Sequence, residues 1–456
     1  MKRWSMVRPG PMLALGAVLL ILGGCAHYQP RPLPEGPDLA ERLPTVDWDK
    51  VAAPVPGLGK TRFDPADGLD REELVILAIS HNPGLATQRA RLGLAQAQLF
   101  AAGLLPDPQL ALGVEQATGH SANSVPGYSL GLSEDLRALI LHQSVKKAAD
   151  NHQQQVNLEL LWQEWQVAER ARELFISLRS VRQRESRLRA LRQMTRQRYQ
   201  AEQGGLRKNM VSQSVVAADR STLADIDDRL AELMVEQSRQ SAELNQLLGL
   251  RPGVPVRLVG DARATLPDTQ TISQAVNEIG QRRPDLIALR YGYQNQEQQV
   301  SQAILAQFPA ISVGLDAARD TGNTRTLGLN VSLNLPLFGG QRGPIAVQRA
   351  KRIVLRSDYQ QRLDQAVSDS LQIESVARQQ QARLAALQRR APELKAEAAA
   401  ASAAVSKGLL DQRSADDRRA QWIQWQLRMI EAESDLATSA TMLATVVGMP
   451  LQSLIP

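Results

Sequence analysis

The sequence predicts a mainly helical chain with a membrane β part. A long α-helical coiled-coil barrel joins a transmembrane β-barrel, to which each chain contributes four strands. Three observations predict it. One unit of helix, two strands and two long helices is written twice. The strands alternate apolar with small or polar residues, as in Leu327–Leu335, "LGLNVSLNL". A leader directs the chain to the cell envelope.

That leader comes first. Lys2, Arg3 and Arg8 precede an apolar run, Met12–Gly24, of signal-peptide length and too short to span a bilayer. It ends in Leu22-Gly-Gly-Cys25, which resembles a bacterial lipobox and implies a lipoprotein: cleavage before Cys25, then acylation (palmitate among the chains). Several acyl chains anchor firmly, at ~0.8 kcal/mol per buried methylene. Ala26, rather than Asp, follows the Cys, which resembles an outer-membrane address. Cys25 is the only cysteine, so no disulfide is available. Loss of the leader's three positive charges lowers the net charge from +6 to +3, and the high pI gives no case for nucleic acid. The eight prolines between Pro30 and Pro65 forbid long helix and favour a semi-rigid linker. The boundaries are therefore 1–24 for the signal peptide, 25–69 for the lipidated N-terminus and Pro-rich linker, and 70–260 and 261–456 for two repeats.

The repeat shows in fixed offsets. "HNPGL" (His81–Leu85) matches "RRPDL" (Arg282–Leu286), with Pro83 and Pro284 separated by 201; Pro108 and Pro309, and Gly113 and Gly314, keep that offset. "YSLGLSEDL" from Tyr128 falls on "LNVSLNLPL" from Leu329, and near the far ends Gly249 and Gly448 differ by 199. Each unit opens with a helix (Leu74–His81 and, after a Pro break, Leu85–Leu105 in the first). Strands follow near Gln109–Gln116 and Tyr128–Ser133, and near Ala310–Ala318 and Leu327–Leu335. Long helices come next, about Ala138–Gln203 and Ile345–Lys407, and helices near Met210–Leu248 and Ser414–Val447 return. Leu174, Leu178, Val181, Leu188 and Leu191, and Leu363, Val367 and Leu371, have coiled-coil spacing. Some 65 helical residues reach ~100 Å. The small-residue tract Ala396–Gly408 lets helices approach closely, and Pro392 is expected to break or kink its helix.

Alternation of this kind in an envelope protein is the signature of a membrane β-barrel, lipid outside and water inside. Four strands leave edges whose unpaired groups cost several kcal/mol each in hydrocarbon, so the sheet must close. Single-chain barrels start at about eight strands, so closure needs further copies of the chain. The helices then continue the wall beyond the membrane.

With its repeat, its Asn/Arg-Pro-x-Leu helix starts, "LNLPLFGGQRG" (Leu333–Gly343) and the closing "LLGL" and "VVGM", the chain resembles the outer membrane factor family. These are TolC-type exit ducts of tripartite efflux pumps and type I secretion systems. The resemblance covers Leu69 to about Leu451, and the lipobox is similar to that of the lipid-anchored branch. It implies a homotrimer in the Gram-negative outer membrane, extending into the periplasm, that partners a periplasmic adaptor (membrane fusion protein) and an inner-membrane pump. The first unit departs from the pattern: "DLRALILHQ" (Asp135–Gln143) stands where the second has "PLFGGQRG".

No catalytic constellation is present: no phosphate loop in strand–helix context, no G-x-S-x-G, no H-E-x-x-H and no Cys pair. Neither enzyme activity nor a cofactor or metal site is expected. Gly in the turns at Glu202–Asn209 and Ser406–Ala420 permits the left-handed backbone of a helix end. In the family, Gly-Leu at such tips meets the adaptor, which carries over to Gly205 and Leu206 and to Gly408 and Leu409. The resemblance also implies a periplasmic gate of acidic residues past the second tip, at Asp417 or its neighbour Asp416. Symmetry copies would concentrate negative potential there, and Arg413, Arg418 and Arg419 stand near enough to neutralise it. The implied function is a passive exit duct opened by docking. The competing reading is a lipid-anchored periplasmic coiled-coil adaptor or structural protein, which would carry one hairpin rather than two; an envelope enzyme is disfavoured by the missing site.

Overall fold

The computed structural model describes residues 28–44, 67–118, 124–335 and 341–449. The signal peptide, Cys25, much of the linker and the corner at 336–340 lie outside the described residues. The chain divides into two units, Met1–Leu39 and Ala40–Pro456. In the first, residues 28–39 are almost wholly exposed and form neither helix nor strand, as Pro30, Pro32, Pro34 and Pro37 require. The second unit holds every described helix and strand.

Helix α1 (Arg71–His81) opens with a capping box: Asp70 accepts from the Glu72 and Glu73 amides, and Glu73 accepts from the Asp70 amide. Asn82 ends α1 and caps α2 (Pro83–Gly103), whose first residue is the proline that cannot continue α1. Strands β1 (Gln109–Glu115) and β2 (Gly127–Asp135) follow. Asp135 closes β2 and also caps α3 (Leu136–Arg207), accepting from the Arg137 and Ala138 amides at 2.8 and 3.3 Å. The first unit of the repeat thus turns from strand to helix without a loop, which is why it can lack the Pro and the Gly pair of the second. Helix α3 begins two residues before the predicted start and ends four after the predicted end; its 72 residues reach ~110 Å. Helix α4 (Gln213–Leu247) returns. The second repeat runs α5 (Thr269–Asn277), α6 (Ile279–Arg282), α7 (Pro284–Leu305), β3 (Ala310–Arg319), β4 (Arg325–Asn334), α8 (Arg342–Ser406) and α9 (Gln412–Val446).

The duplication is geometric. The pair Gln109↔Ser133 of the first hairpin recurs as Ala310↔Asn334 in the second, both partners displaced by 201. Helices α4 and α9 are both 35 residues long and start 199 apart. Left-handed residues end the four long helices at Asn209 and Gly408, and at Gly249 and Gly448, each pair again 199 apart.

Of the predicted coiled-coil stripe, Leu174 and Leu178 enter a core formed by α1, the middle of α3 and the end of α4, around fully buried Phe175, Leu74, Leu77 and Leu248. Val181, Leu188 and Leu191 pack with Ile226 and Leu233 of α4 and Ile423 of α9. In α8 the stripe is shorter than predicted. Leu363 and Val367 pack against Ile279 and Leu286, but Leu371 is exposed. The buried positions of α8 are small, including Ala366, Ser370, Ala377, Ala398 and Ala401, so this helix packs by close approach rather than by large knobs. Pro392 does not break α8, which continues to Ser406. It removes one helical donor, and packing on α9 outweighs that loss: the Trp425 indole N–H donates to the Leu387 carbonyl at 3.0 Å, next to the carbonyl that Pro392 leaves without its helical partner.

Candidate functional site

The four strands form one antiparallel sheet in the order β1-β2-β3-β4. Its register gathers the large apolar strand residues on one face. Leu112 pairs with Leu130, Leu132 with Leu315, and Leu315 with Leu329; Val313 pairs with Val331 and Ile311 with Leu333. The other face carries Ser129, Gly131, Ser133, Ser312, Asp316, Asn330 and Ser332. The apolar face is uncovered: Leu112 is 59% exposed, Leu315 59% and Leu329 69%. The buried cores are built from helices and their connections, and none of the four includes a strand residue. Both edge strands, β1 and β4, have no outer strand partner among the described residues. An exposed apolar face of this extent has water as an unfavourable neighbour, and open edges offer pairing sites to further strands. No described helix is long and apolar enough to cross a membrane.

At the opposite ends of α3 and α8 lie the hairpin tips. The tip of the first hairpin differs from the expectation. Gly205 lies within α3, and the left-handed residue is Asn209, φ 54°. The Met210 amide bonds the Gly205 carbonyl and the Asn209 amide the Leu206 carbonyl. In the second hairpin Leu409 bonds Ala404, and Gly408, φ 70°, bonds Val405. Both are Schellman ends, and they equate Gly408 and Leu409 with Asn209 and Met210, not with Gly205 and Leu206. Met210 and Leu409 are 78% and 77% exposed, whereas Leu206 is only half-buried against its own hairpin. Gly205 serves close approach instead: a Cβ there would lie 2.7 Å from Val211 Cγ2. Local spacing points to Gly205; Asn is the rarer choice at a left-handed position, so Asn209 carries the weaker sequence signal.

Asp416 and Asp417 sit in the first turns of α9. Asp417 accepts from Arg198 of α3 at 2.7 Å, and the same guanidinium grips Asp219 of α4 through two bonds of 2.6 and 2.7 Å. Arg413 of α9 bonds Glu202 of α3 and reaches Asp219 at 3.5 Å. Asp219 is 1% exposed. Burial opposes the Arg198 charge, but Asp219 and then Asp417 hold its pKa above the usual value. Burial and then the neighbouring Asp219 push Glu202 up, against the pull of Arg413 and Arg198. The network ties the first hairpin to the second. Arg418 bonds Glu397 of α8 at 3.3 Å, and Asp416 accepts from Gln412 at 2.9 Å. The sequence does not signal Arg198, because Asp219 lies across the hairpin turn and Asp417 219 residues away. A groove of about 980 Å³ beside the network is lined by Met194, Met210, Val211, Arg413, Asp416 and Arg419, among others.

A second polar node lies nearer the strands' side of α3. Arg283 grips Asp285 at 3.0 and 2.8 Å, donates to the Val446 carbonyl and stacks on Trp162, 4.6 Å from the ring centre. Beside it, burial and then Glu173 push Glu169 up to about 7. Trp425 is likewise flanked by Arg390 and Arg428, so Trp162 and Trp425 both pack against cations. Among the described residues no cluster of His, Cys, Asp and Glu suited to a metal ion is found.

No family model and no curated protein matches this chain. Solved structures do. The outer-membrane channel OprN is 19% identical over 92% of this chain and 99% of its own, with a TM-score of 0.67. The CmeC outer membrane channel of Campylobacter jejuni is 15% identical over 93% and 95%, with a TM-score of 0.67. The outer membrane protein VceC of Vibrio cholerae is 17% identical over 83% and 96%, with a TM-score of 0.66. The chain therefore has the fold of outer membrane channels: two strand pairs and two long helical hairpins. This is the fold of the outer membrane factors that its motifs resemble.

Proposed function

We propose that this protein is a channel of the outer membrane: the passive exit duct of a tripartite efflux or export system, working as a homotrimer held by lipid at Cys25. The observation that carries the reading is the sheet, with its uncovered apolar face, its small and polar opposite face and two unpaired edges. Three chains supply twelve strands, and β4 of each meets β1 of the next, so no edge is left in hydrocarbon. The helices descend into the periplasm, and the tips receive the adaptor through exposed Met210 and Leu409 with their turn residues Asn209 and Gly408. Gly205 and Leu206 act from behind, by shaping the first tip. Asp416 and Asp417 narrow the entrance, and the Arg198–Asp219–Arg413–Glu202 network holds it closed until docking rearranges the hairpins. Transport is driven by the pump, not by this chain.

The purified protein tests this reading. It is expected to need detergent after delipidation, to cross-link as three copies and to conduct in planar bilayers. The double substitution Asp416→Ala/Asp417→Ala is expected to change conductance or cation selectivity. A stable, water-soluble monomer would refute the duct, and unaltered conductance and selectivity in the double variant would remove the gate from those two residues.

A further inference from the structure

The row of the apolar face furthest from the helices is not apolar. Arg319 of β3 stands directly opposite Arg325 of β4 and, on its other side, opposite Tyr128 of β2. By strand alternation all three share the face of Leu130, Leu315 and Leu329. Arg319 Nε is buried without a hydrogen-bond partner. Like charges directly opposite repel. The nearest carboxylate in the sequence, Asp320 in the adjoining turn, caps that turn instead, its Oδ1 accepting from the Thr324 amide at 2.8 Å. Two facing arginines and a tyrosine hydroxyl on one rim make a receptor for an anion. Arg matches phosphate through paired N–H bonds.

Their depth selects the anion. From the row of Ile311 and Leu333 to that of Arg319 and Arg325 is eight residues, or ~26 Å along a strand. Tilted 35–45°, this spans ~20 Å of an apolar band ~25 Å tall. The arginine row therefore stands within ~5 Å of the band's edge, a distance the long side chains cover by snorkelling to the headgroups, and Tyr128 belongs at the same level. Because β2 enters α3 at the other end of the sheet, this rim belongs to the leaflet facing away from the helices. We propose that Arg319, Arg325 and Tyr128 bind the phosphate of a phosphorylated glycolipid in the outer leaflet, one site per chain. This rests on the reading of the protein as an outer membrane channel.

The test uses the full chain purified in detergent, with bound lipid read by native mass spectrometry. It is titrated with bis-phosphorylated lipid A, with lipid A stripped of its phosphates, and with inorganic phosphate. The phosphorylated lipid is expected to bind about tenfold or more tighter than the stripped one. Arg319→Gln/Arg325→Gln should abolish that preference, and millimolar phosphate should not displace the lipid. Equal binding of the two lipids, or a double variant that keeps the preference, overturns the site. Displacement by inorganic phosphate overturns the lipid as its ligand. The comparison of two lipids uses the unaltered chain, so it decides even if the variant fails to fold. A preparation that inserts into bilayers but shows no preference refutes this inference alone; one that is soluble without detergent refutes the channel and the site together.

Discussion

Asn209 and Gly408 hold the same left-handed position at the turns of the two helical hairpins, with φ of 54° and 70°, each after a helix closed by the same two backbone bonds. A Cβ on Gly408 would meet nothing within 4 Å, so substitution there costs backbone strain alone. Gly408→Ala is expected to destabilise the second tip by ~1 kcal/mol, speeding hydrogen exchange at the Leu409 amide about fivefold. Asn209→Gly should change the first tip by less than ~0.5 kcal/mol. Equal exchange in Gly408→Ala and the parent would show that the tip is not held by this turn.

Arg198 joins three helices through one guanidinium. Arg198→Ala leaves buried Asp219 with the longer Arg413 contact as its one remaining ion pair among the described residues, a loss of order 3–5 kcal/mol for breaking a buried pair. It also frees Asp417. Single-channel conductance is expected to rise, because the Arg198–Asp417 tie between the hairpins is lost and only the Arg413 contacts of the network remain. Arg192→Ala is the control: its partner Asp227 lies in the same hairpin and both are half-exposed, so conductance should not change. Equal conductance in the two variants would exclude a latch at Arg198.

Much of the fold is legible in the sequence, for reasons specific to each element. Strand faces are readable because a period of two needs only neighbours: Leu327, Leu329, Val331 and Leu333 declare their side without knowledge of the rest. The repeat is readable because Pro83 and Pro284 punctuate both copies, and each begins a helix. The features that sequence misses depend on distant partners. Leu371 fits a heptad, but it is left exposed among the described residues. Pro392 keeps its helix because the α8–α9 contact outweighs one missing bond. Arg198 is one arginine among many until the fold brings α9 beside it.

Glu169 gives the protein a pH dependence of its own. Burial first, and Glu173 second, push it up to about 7; a bond with Thr445 and the charges of Arg283 and Arg170 oppose them. The folded chain thus holds this proton more tightly than the unfolded chain, where the group titrates near 4.5. Its contribution is most favourable below that value, declines as pH rises and is fully lost above about 7. Glu169→Gln is therefore expected to raise stability at pH 8 by roughly 1–3 kcal/mol and to make no difference near the lower limit. Melting temperature against pH for both forms checks this, and parallel curves would show that Glu169 titrates as an exposed carboxylate.

The two faces of β4 predict opposite tolerances for one substitution. Leu329 lies in the middle of the apolar face, paired with Leu315, and Asn330 beside it points the other way, paired with Gly314. In the proposed channel an arginine at the first position would enter hydrocarbon, at ~2–4 kcal/mol per chain near the midplane. In the proposed trimer three copies would multiply that cost within one assembly. An arginine at the second would enter the water-filled lumen of that channel and is expected to alter conductance rather than folding. Leu329→Arg should therefore reduce the amount of assembled protein in the outer membrane steeply, while Asn330→Arg assembles normally and lowers cation conductance. The neighbouring positions share one strand and both are exposed in the single chain, so the contrast isolates the medium each face meets. If both variants assemble alike, the sheet does not stand in lipid.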